Sequence, residues 1–194
     1  QSFELMNRYN VYENIEMPLL VRNVKNRKKQ IEDYMEKLHI ADLAKKYYKR
    51  DNIFFIGRGM DAAVSYEGSL KLKEISYINS FAIAAGELKH GTIALIEDGT
   101  LVVSIAAQDR LFEKMLSNIQ EVKARGADIL ALAKESNTAV ERQADDVIYI
   151  PECMDEITPL ISIVPLQILA YYIAKQRGCD IDKPKNLAKS VTVE

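Results

Sequence analysis

Two hydrophobic rhythms alternate along this chain. Short, mainly apolar runs at Ile53 to Ile56, Leu101 to Ala106, Ile129 to Ala133 and Val147 to Ile150 have the length and composition of strands buried on both faces. Between them the apolar positions recur at helical spacing. A helix is predicted from about Ala62 to Tyr77, and another over Phe112, Met115, Leu116, Ile119 and Val122, with Asp109 as its cap and Gly126 as its C-terminal glycine. A long helix is predicted from Thr158, with Pro159 in its first turn, to Gly178, with Lys175 and Arg177 complementing its dipole and Pro165 bending it. Upstream, Val21, Val24, Ile31, Met35 and Leu38 suggest a basic amphipathic helix, followed by a short one over Ile40 to Tyr48. Residues 1–20 and the tail CDIDKPKNLAKSVTVE carry neither rhythm.

Strands alternating with helices imply a parallel sheet covered on both faces: an α/β, doubly wound, Rossmann-like fold. The expected organisation is an N-terminal arm with helices over 1–50, the α/β body over 51–178 and an irregular C-terminal tail over 179–194.

Composition narrows the class. With 194 residues, 48% hydrophobic and 28% charged, the chain can bury a core without a staple. Cys153 and Cys179 fit neither a disulfide framework nor a zinc site, so no metal is expected and a reducing, cytoplasmic setting is. A net charge of -2 supplies no field for nucleic acid or anionic membrane, and the basic run Arg22 to Lys29 reads as a solvated helix face. The apolar stretch Ile161 to Ile173 is interrupted by Ser162, Pro165 and Gln167 and reads as a buried helix instead of a membrane span. Starting on Gln1 without a signal-like segment, the sequence reads as a piece of a longer protein.

In an open parallel sheet, ligands bind beyond the carboxyl ends of the strands, which directs attention to Gly57-Arg58-Gly59. Two glycines and a helix N-terminus favour an anion there, and Arg58 adds donors; a plain tight turn explains the same residues. Extended to Ala62, the segment also satisfies the dinucleotide spacing G-x-G-x-x-A. On the following helix Glu67, Lys71 and Glu74 share one side. Spacing alone points to a solvated ion ladder, and a helix that begins at the binding loop raises the alternative, a carboxylate held ready for proton transfer. His90, in ELKHG, is either a surface residue or a proton donor to a sugar ring oxygen, and Lys189, in the tail, is either a surface lysine or a Schiff-base nucleophile.

Four segments taken together are far more specific. FFIGRG, EGSLKLKEISYI, AAGELKHGTIALI and the terminal KPKNLAKSVTVE resemble, in that order, the second sugar-isomerase (SIS) half of the glucosamine-6-phosphate synthases, the isomerising glutamine:fructose-6-phosphate aminotransferases. The resemblance implies an SIS-type sheet and conversion of fructose-6-phosphate, with ammonia from a separate glutaminase domain, to glucosamine-6-phosphate without a cofactor. It implies that Glu74 moves a proton between the first two sugar carbons and that Lys189 forms a Schiff base with the open-chain ketose. His90 is implied to assist ring opening from across a homodimer interface, and Lys71 and Ala188 to line the site.

Two departures qualify the likeness. Thr92 stands where the family usually has proline, and the serine- and threonine-rich phosphate loop of the family's first isomerase half is absent, as is the glutaminase cysteine. The chain alone is therefore not expected to complete the reaction. Two other readings remain: a non-catalytic sugar-phosphate sensor of the same fold, which has no use for Lys189, and a dinucleotide enzyme, which would need Glu87 to hold a ribose about ten residues later than is usual.

Overall fold

Each central strand buries alternate residues against opposite layers, and this alternation organises the fold. In a computed structural model that describes residues 25–26 and 39–185, the strands are β1 (Asn52–Gly57), β2 (Asn79–Ala84), β3 (Leu101–Ala106), β4 (Asp128–Lys134) and β5 (Asp146–Ile150). They form a five-stranded sheet in the order β2-β1-β3-β4-β5, with every pairing parallel. Helices α1 (Ile40–Tyr47), α2 (Met60–Ser76) and α4 (Thr158–Gln176) contribute to one core with Ile53, Phe55, Val103 and Leu132. Helix α3 (Phe112–Lys123) covers the other face, where Phe54, Ile56, Val102 and Ala131 point. All of β3 is buried, so its continuous apolar run reflects helices on both sides.

The doubly wound expectation holds, and β1, β3, β4 and β5 fall where the apolar runs put them. Strand β2 lacks such a run because it is an edge strand: Asn79 and Phe81 are exposed while Ser80 is buried against Ser69, their hydroxyls 2.9 Å apart. The expected cap Asp109 instead opens a 3₁₀ turn (Asp109–Leu111) ahead of α3, and its carboxylate is bound by Lys134 and Asn137. Gly126 does adopt a left-handed φ of 86° and returns its N–H to the Lys123 carbonyl.

At the start of α4, the Thr158 hydroxyl donates to the Asp155 carbonyl, and the helix continues through Pro165. Leu166, Ile168, Leu169, Ala170 and Ile173 of α4 lie in the core against α1 and α2, as a buried helix should. The boundary expected near residue 50 cuts through this core. Ile40, Ala44 and Tyr47 are fully buried in it, because α1 packs on α4 and the Tyr47 hydroxyl reaches Asp146 at the start of β5. The expected arm over 1–20, the helix from Leu20 to Leu38 and the basic run Arg22 to Lys29 lie outside the described residues apart from Lys25 and Asn26, as does the tail beyond Lys185.

Candidate active site

The two ends of the sheet carry different chemistry. At the carboxyl end, β1 leads into α2 on one face and β3 leads towards α3 on the other, which makes the gap between them the topological switch point. That gap is filled by the chain itself. Asp61, in the first turn of α2 and only 2% exposed, accepts hydrogen bonds at Oδ2 from the backbone N–H of Ala107 (2.9 Å) and of Gln108 (3.2 Å). The Gln108 side-chain amide then donates to the Arg58 carbonyl at 2.7 Å, tying the two loops together. Burial pushes the Asp61 carboxyl up to about 6, against the pull of those backbone donors.

Arg58 does not crown the loop as expected. Its Nε donates to Asn118 Oδ1 on α3 at 2.8 Å, and its guanidinium lies beside Gly86, where an added Cβ would stand 3.5 Å from its nitrogens. With a carboxylate under the loop and the arginine turned aside, the segment Gly57 to Ala62 is poorly suited to an incoming pyrophosphate, which weakens the dinucleotide reading. Sequence gave little warning of Asp61, since an acidic residue in a first helical turn ordinarily complements the dipole from the surface.

Helix α2 runs antiparallel to the strands it joins, so its last turns lie at the amino end of the sheet. Lys71 Nζ is 2.9 Å from Glu74 Oε2 and 3.5 Å from Glu67 Oε1, and the three side chains are between a quarter and two-fifths exposed. The ladder expected from spacing is present. Its position differs: Glu74 lies about 21 Å along the helix from Met60, far from the Gly57 loop. Burial tends to lower the Lys71 ammonium, but Glu74 and Glu67 outweigh it and hold the group above its ordinary value.

The chain after α4 returns to this same end. Cys179 Sγ lies 3.8 Å from the Ser76 carbonyl, and the Lys185 N–H donates to the Tyr77 hydroxyl at 2.9 Å. Ala188 and Lys189 lie outside the described residues.

His90 is found at the opposite end. It closes a 3₁₀ turn (Ala85–His90) that follows β2, its side chain is 76% exposed, and its Nε2 sits 3.8 Å from Glu87 Oε2. Strand β2 alone, roughly 16 Å long, separates that end from the last turn of α2. Within one chain, then, Lys71 and Glu74 are brought together and His90 is held apart from them. Glu87, which the dinucleotide reading needs, is exposed on the same 3₁₀ turn as His90.

A buried lysine at the carboxyl end had no signal in the sequence. Lys134, the last residue of β4, has a side chain with no exposure and lies 2.7 Å from Asp109 Oδ2 and 2.9 Å from Asp155 Oδ1. It fastens the loops after β3 and β5 to the end of β4.

A parallel sheet in this strand order, with helices on both faces, defines a doubly wound α/β domain. The SIS domain model matches residues 46–175, and the chain belongs to that family. Among curated proteins it is 61% identical over 155 residues to the glutamine–fructose-6-phosphate aminotransferase (isomerising) of Caldanaerobacter subterraneus, covering 80% of this chain and 26% of that protein. It is 49% identical over 176 residues to the enzyme of that name from Thermus thermophilus, covering 90% and 29%.

Among solved structures, the C-terminal domain of glucosamine-fructose-6-phosphate aminotransferase from Francisella tularensis superposes with a TM-score of 0.71 at 30% identity, over 91% of this chain and 49% of that one. The glucosamine-6-phosphate deaminase of Thermotoga maritima gives 0.63 at 29%, over 87% and 50%. The chain thus spans about a quarter of the curated relatives it matches and half of these structures.

Proposed function

We propose that this chain acts as the second sugar-isomerase half of a glutamine–fructose-6-phosphate aminotransferase and supplies the groups that move protons on the open-chain sugar. The observation that carries the reading is the Lys71–Glu74 pair on the last turns of α2, beside which the C-terminal tail begins.

The chemistry follows from those groups. Fructose-6-phosphate is ring-closed, and a protonated imidazole at the ring oxygen, supplied by His90, opens it. The Lys189 amine then adds to the C2 carbonyl and water leaves, giving an iminium that acidifies the hydrogens on C1. Ammonia adds to the iminium carbon C2 and displaces the Lys189 amine, so the nitrogen remains on the sugar as the C2 imine and the lysine is regenerated. Glu74, aimed by Lys71, then takes a proton from C1 and delivers it to C2, which leaves an amine on C2 and an aldehyde at C1.

The separation of His90 from Glu74 supports a histidine donated by a second subunit of a homodimer. A first SIS half and a glutaminase domain, which the resemblance implies outside this chain, would supply the phosphate grip and the ammonia. The 194-residue chain alone is expected to form no glucosamine-6-phosphate.

The test is a chimera in which this chain replaces the corresponding segment of the Caldanaerobacter relative. Borohydride in the presence of fructose-6-phosphate should reduce a ketose adduct onto Lys189, located by peptide mapping, and Glu74→Gln should abolish turnover while leaving that adduct intact. Turnover by the chimera with no adduct on Lys189 would overturn the Schiff-base role, and a chimera that binds sugar phosphate without turnover or adduct would point to the sensor reading.

A further inference from the structure

We infer that Tyr77 is a positioning residue that seats the C-terminal tail beside Glu74. Tyr77 ends α2 in the left-handed conformation, with φ 60°, which a residue other than glycine adopts only at some cost. Its N–H still caps the helix on the Lys73 carbonyl at 3.2 Å, so its backbone belongs to the helix that carries Glu74. Its side chain belongs to the tail. The hydroxyl oxygen accepts the Lys185 N–H at 2.9 Å, and the Lys185 ammonium stands 4.6 Å from the centre of the ring, a cation–π contact over a face left partly open to solvent.

One residue therefore joins the helix that carries Glu74 to the segment that leads towards Lys189. Tyr77 lies three residues beyond Glu74, about 4.5 Å further along the helix axis. Lys185 lies four residues before Lys189, and an extended segment of that length reaches at most about 14 Å. Fixing Lys185 on Tyr77 shortens the free chain ahead of Lys189, which reduces the ordering that Schiff-base formation must impose on the tail. A second attachment upstream, Cys179 against the Ser76 carbonyl, directs the chain onto the same helix end.

This rests on the proposed roles of Glu74 and Lys189, and the experiment separates the two claims. In the chimera, Tyr77→Phe keeps the ring and removes the hydroxyl, whereas Lys185→Pro removes the N–H and keeps Tyr77. Each is expected to lower kcat and the rate of borohydride-trappable adduct formation at Lys189 by about 2- to 10-fold, the range set by one net hydrogen bond. The glutamine KM and the thermal midpoint should stay unchanged. Because the two variants break the same contact, the double variant should be no worse than either single one. In the 194-residue chain, amide exchange at Lys185 should speed up in Tyr77→Phe.

Full additivity of the two variants, or unchanged trapping and exchange in Tyr77→Phe, would overturn the positioning role even if Glu74 and Lys189 prove essential. If Glu74→Gln and Lys189→Ala chimeras retain full activity, the underlying reading fails instead.

Discussion

Lys71 and Glu74 form a 2.9 Å ion pair within one turn of α2, at the end of the sheet to which the tail returns and away from the glycine loop. Both side chains keep about a quarter to two-fifths of their exposure, so the pair contributes little to folding, about 0.2 to 0.5 kcal/mol. Its effect belongs to catalysis. Glu74→Gln is expected to cut turnover of the chimera by about 100-fold or more, the loss that follows removal of a positioned general base, while shifting the unfolding free energy by under about 0.5 kcal/mol. Lys71→Met should cost less, about 10-fold, because the carboxylate survives without its cation. Raised above its ordinary value, the Lys71 ammonium contributes below pH 10.5 and loses its contribution only as pH climbs beyond that, so no neutral-range pH effect should be traced to it. Steady-state rates beside urea unfolding decide the matter: a Glu74→Gln chimera with near-normal kcat removes Glu74 from the chemistry.

Asp61 gives the fold a pH dependence of the same direction but in a lower window, between acid and neutral pH. Its carboxyl is raised from 3.8 to about 6 by burial, so the folded chain holds a proton there that the unfolded chain has released. The stabilisation is complete below pH 3.8 and is lost as pH rises through about 6, leaving a buried charge at neutrality. Asp61→Asn retains an acceptor for the Ala107 and Gln108 N–H groups without that charge. Relative to this variant, the natural chain should lose about 2 to 3 kcal/mol between pH 4 and pH 7.5, the equivalent of roughly two pKa units. Urea midpoints collected across that range check the difference, and two parallel curves would show that Asp61 does not titrate there.

How far the sequence speaks for this structure depends on whether a residue's surroundings are local. Strands β1 and β3 were legible because helices on both faces demand an unbroken apolar run, whereas β2, open at one edge and satisfied by a serine pair, broke the pattern. The ladder on α2 was legible because helical spacing is a local rule. Its distance from the Gly57 loop depends on which way the helix runs under the sheet, and the hydrogen bonds that Asp61 accepts from residues 46 and 47 positions away have no local signature at all. The same holds for Tyr77, an aromatic at a helix end until the tail folds back onto it. Such long-range polar contacts concentrate at the ends of strands, which is also where the candidate chemistry lies.

Lys134 tests the polar clamp at the carboxyl end. Burial alone would pull its ammonium down, but hydrogen bonds to Asp109 and Asp155 outweigh that and hold it at about 12. Removing the cation leaves Asp155, with a side chain 16% exposed, without its counter-charge, while Asp109, 58% exposed, can rehydrate. Lys134→Met should therefore destabilise by about 3 kcal/mol, near the lower end for a broken buried pair. Lys45→Met removes the exposed Lys45–Asp42 pair and should change stability by under about 0.5 kcal/mol. The stabilisation from Lys134 persists below pH 10.5 and fades as pH rises through about 12. Equal urea midpoints for the two variants would show that the clamp contributes nothing beyond a surface pair.

Two glycines that both accept close neighbours should respond differently to alanine. At Gly57 an added Cβ would lie 2.4 Å from the Asp61 carbonyl oxygen and 2.5 Å from its carbon, both backbone atoms of the turn that brings Asp61 beneath the Ala107–Gln108 loop. That turn cannot open without pulling Asp61 from its two donors, so Gly57→Ala should cost about 3 kcal/mol or more, at or above the upper range for overpacking. At Gly68, midway along α2, the nearest atom is Leu166 Cδ1 at 2.8 Å, the end of a flexible side chain on α4, with Phe55 at 3.2 Å. There the clash is relieved by a change of rotamer, and the gain of about 1 kcal/mol from replacing glycine inside a helix offsets much of it. Gly68→Ala should therefore lie within about 1 kcal/mol of the natural chain. The ordering is what matters, because it depends on Asp61 being fixed by the opposite loop. If Gly57→Ala proves as mild as Gly68→Ala, the strand-to-helix turn yields freely and the Asp61 tether is not holding it.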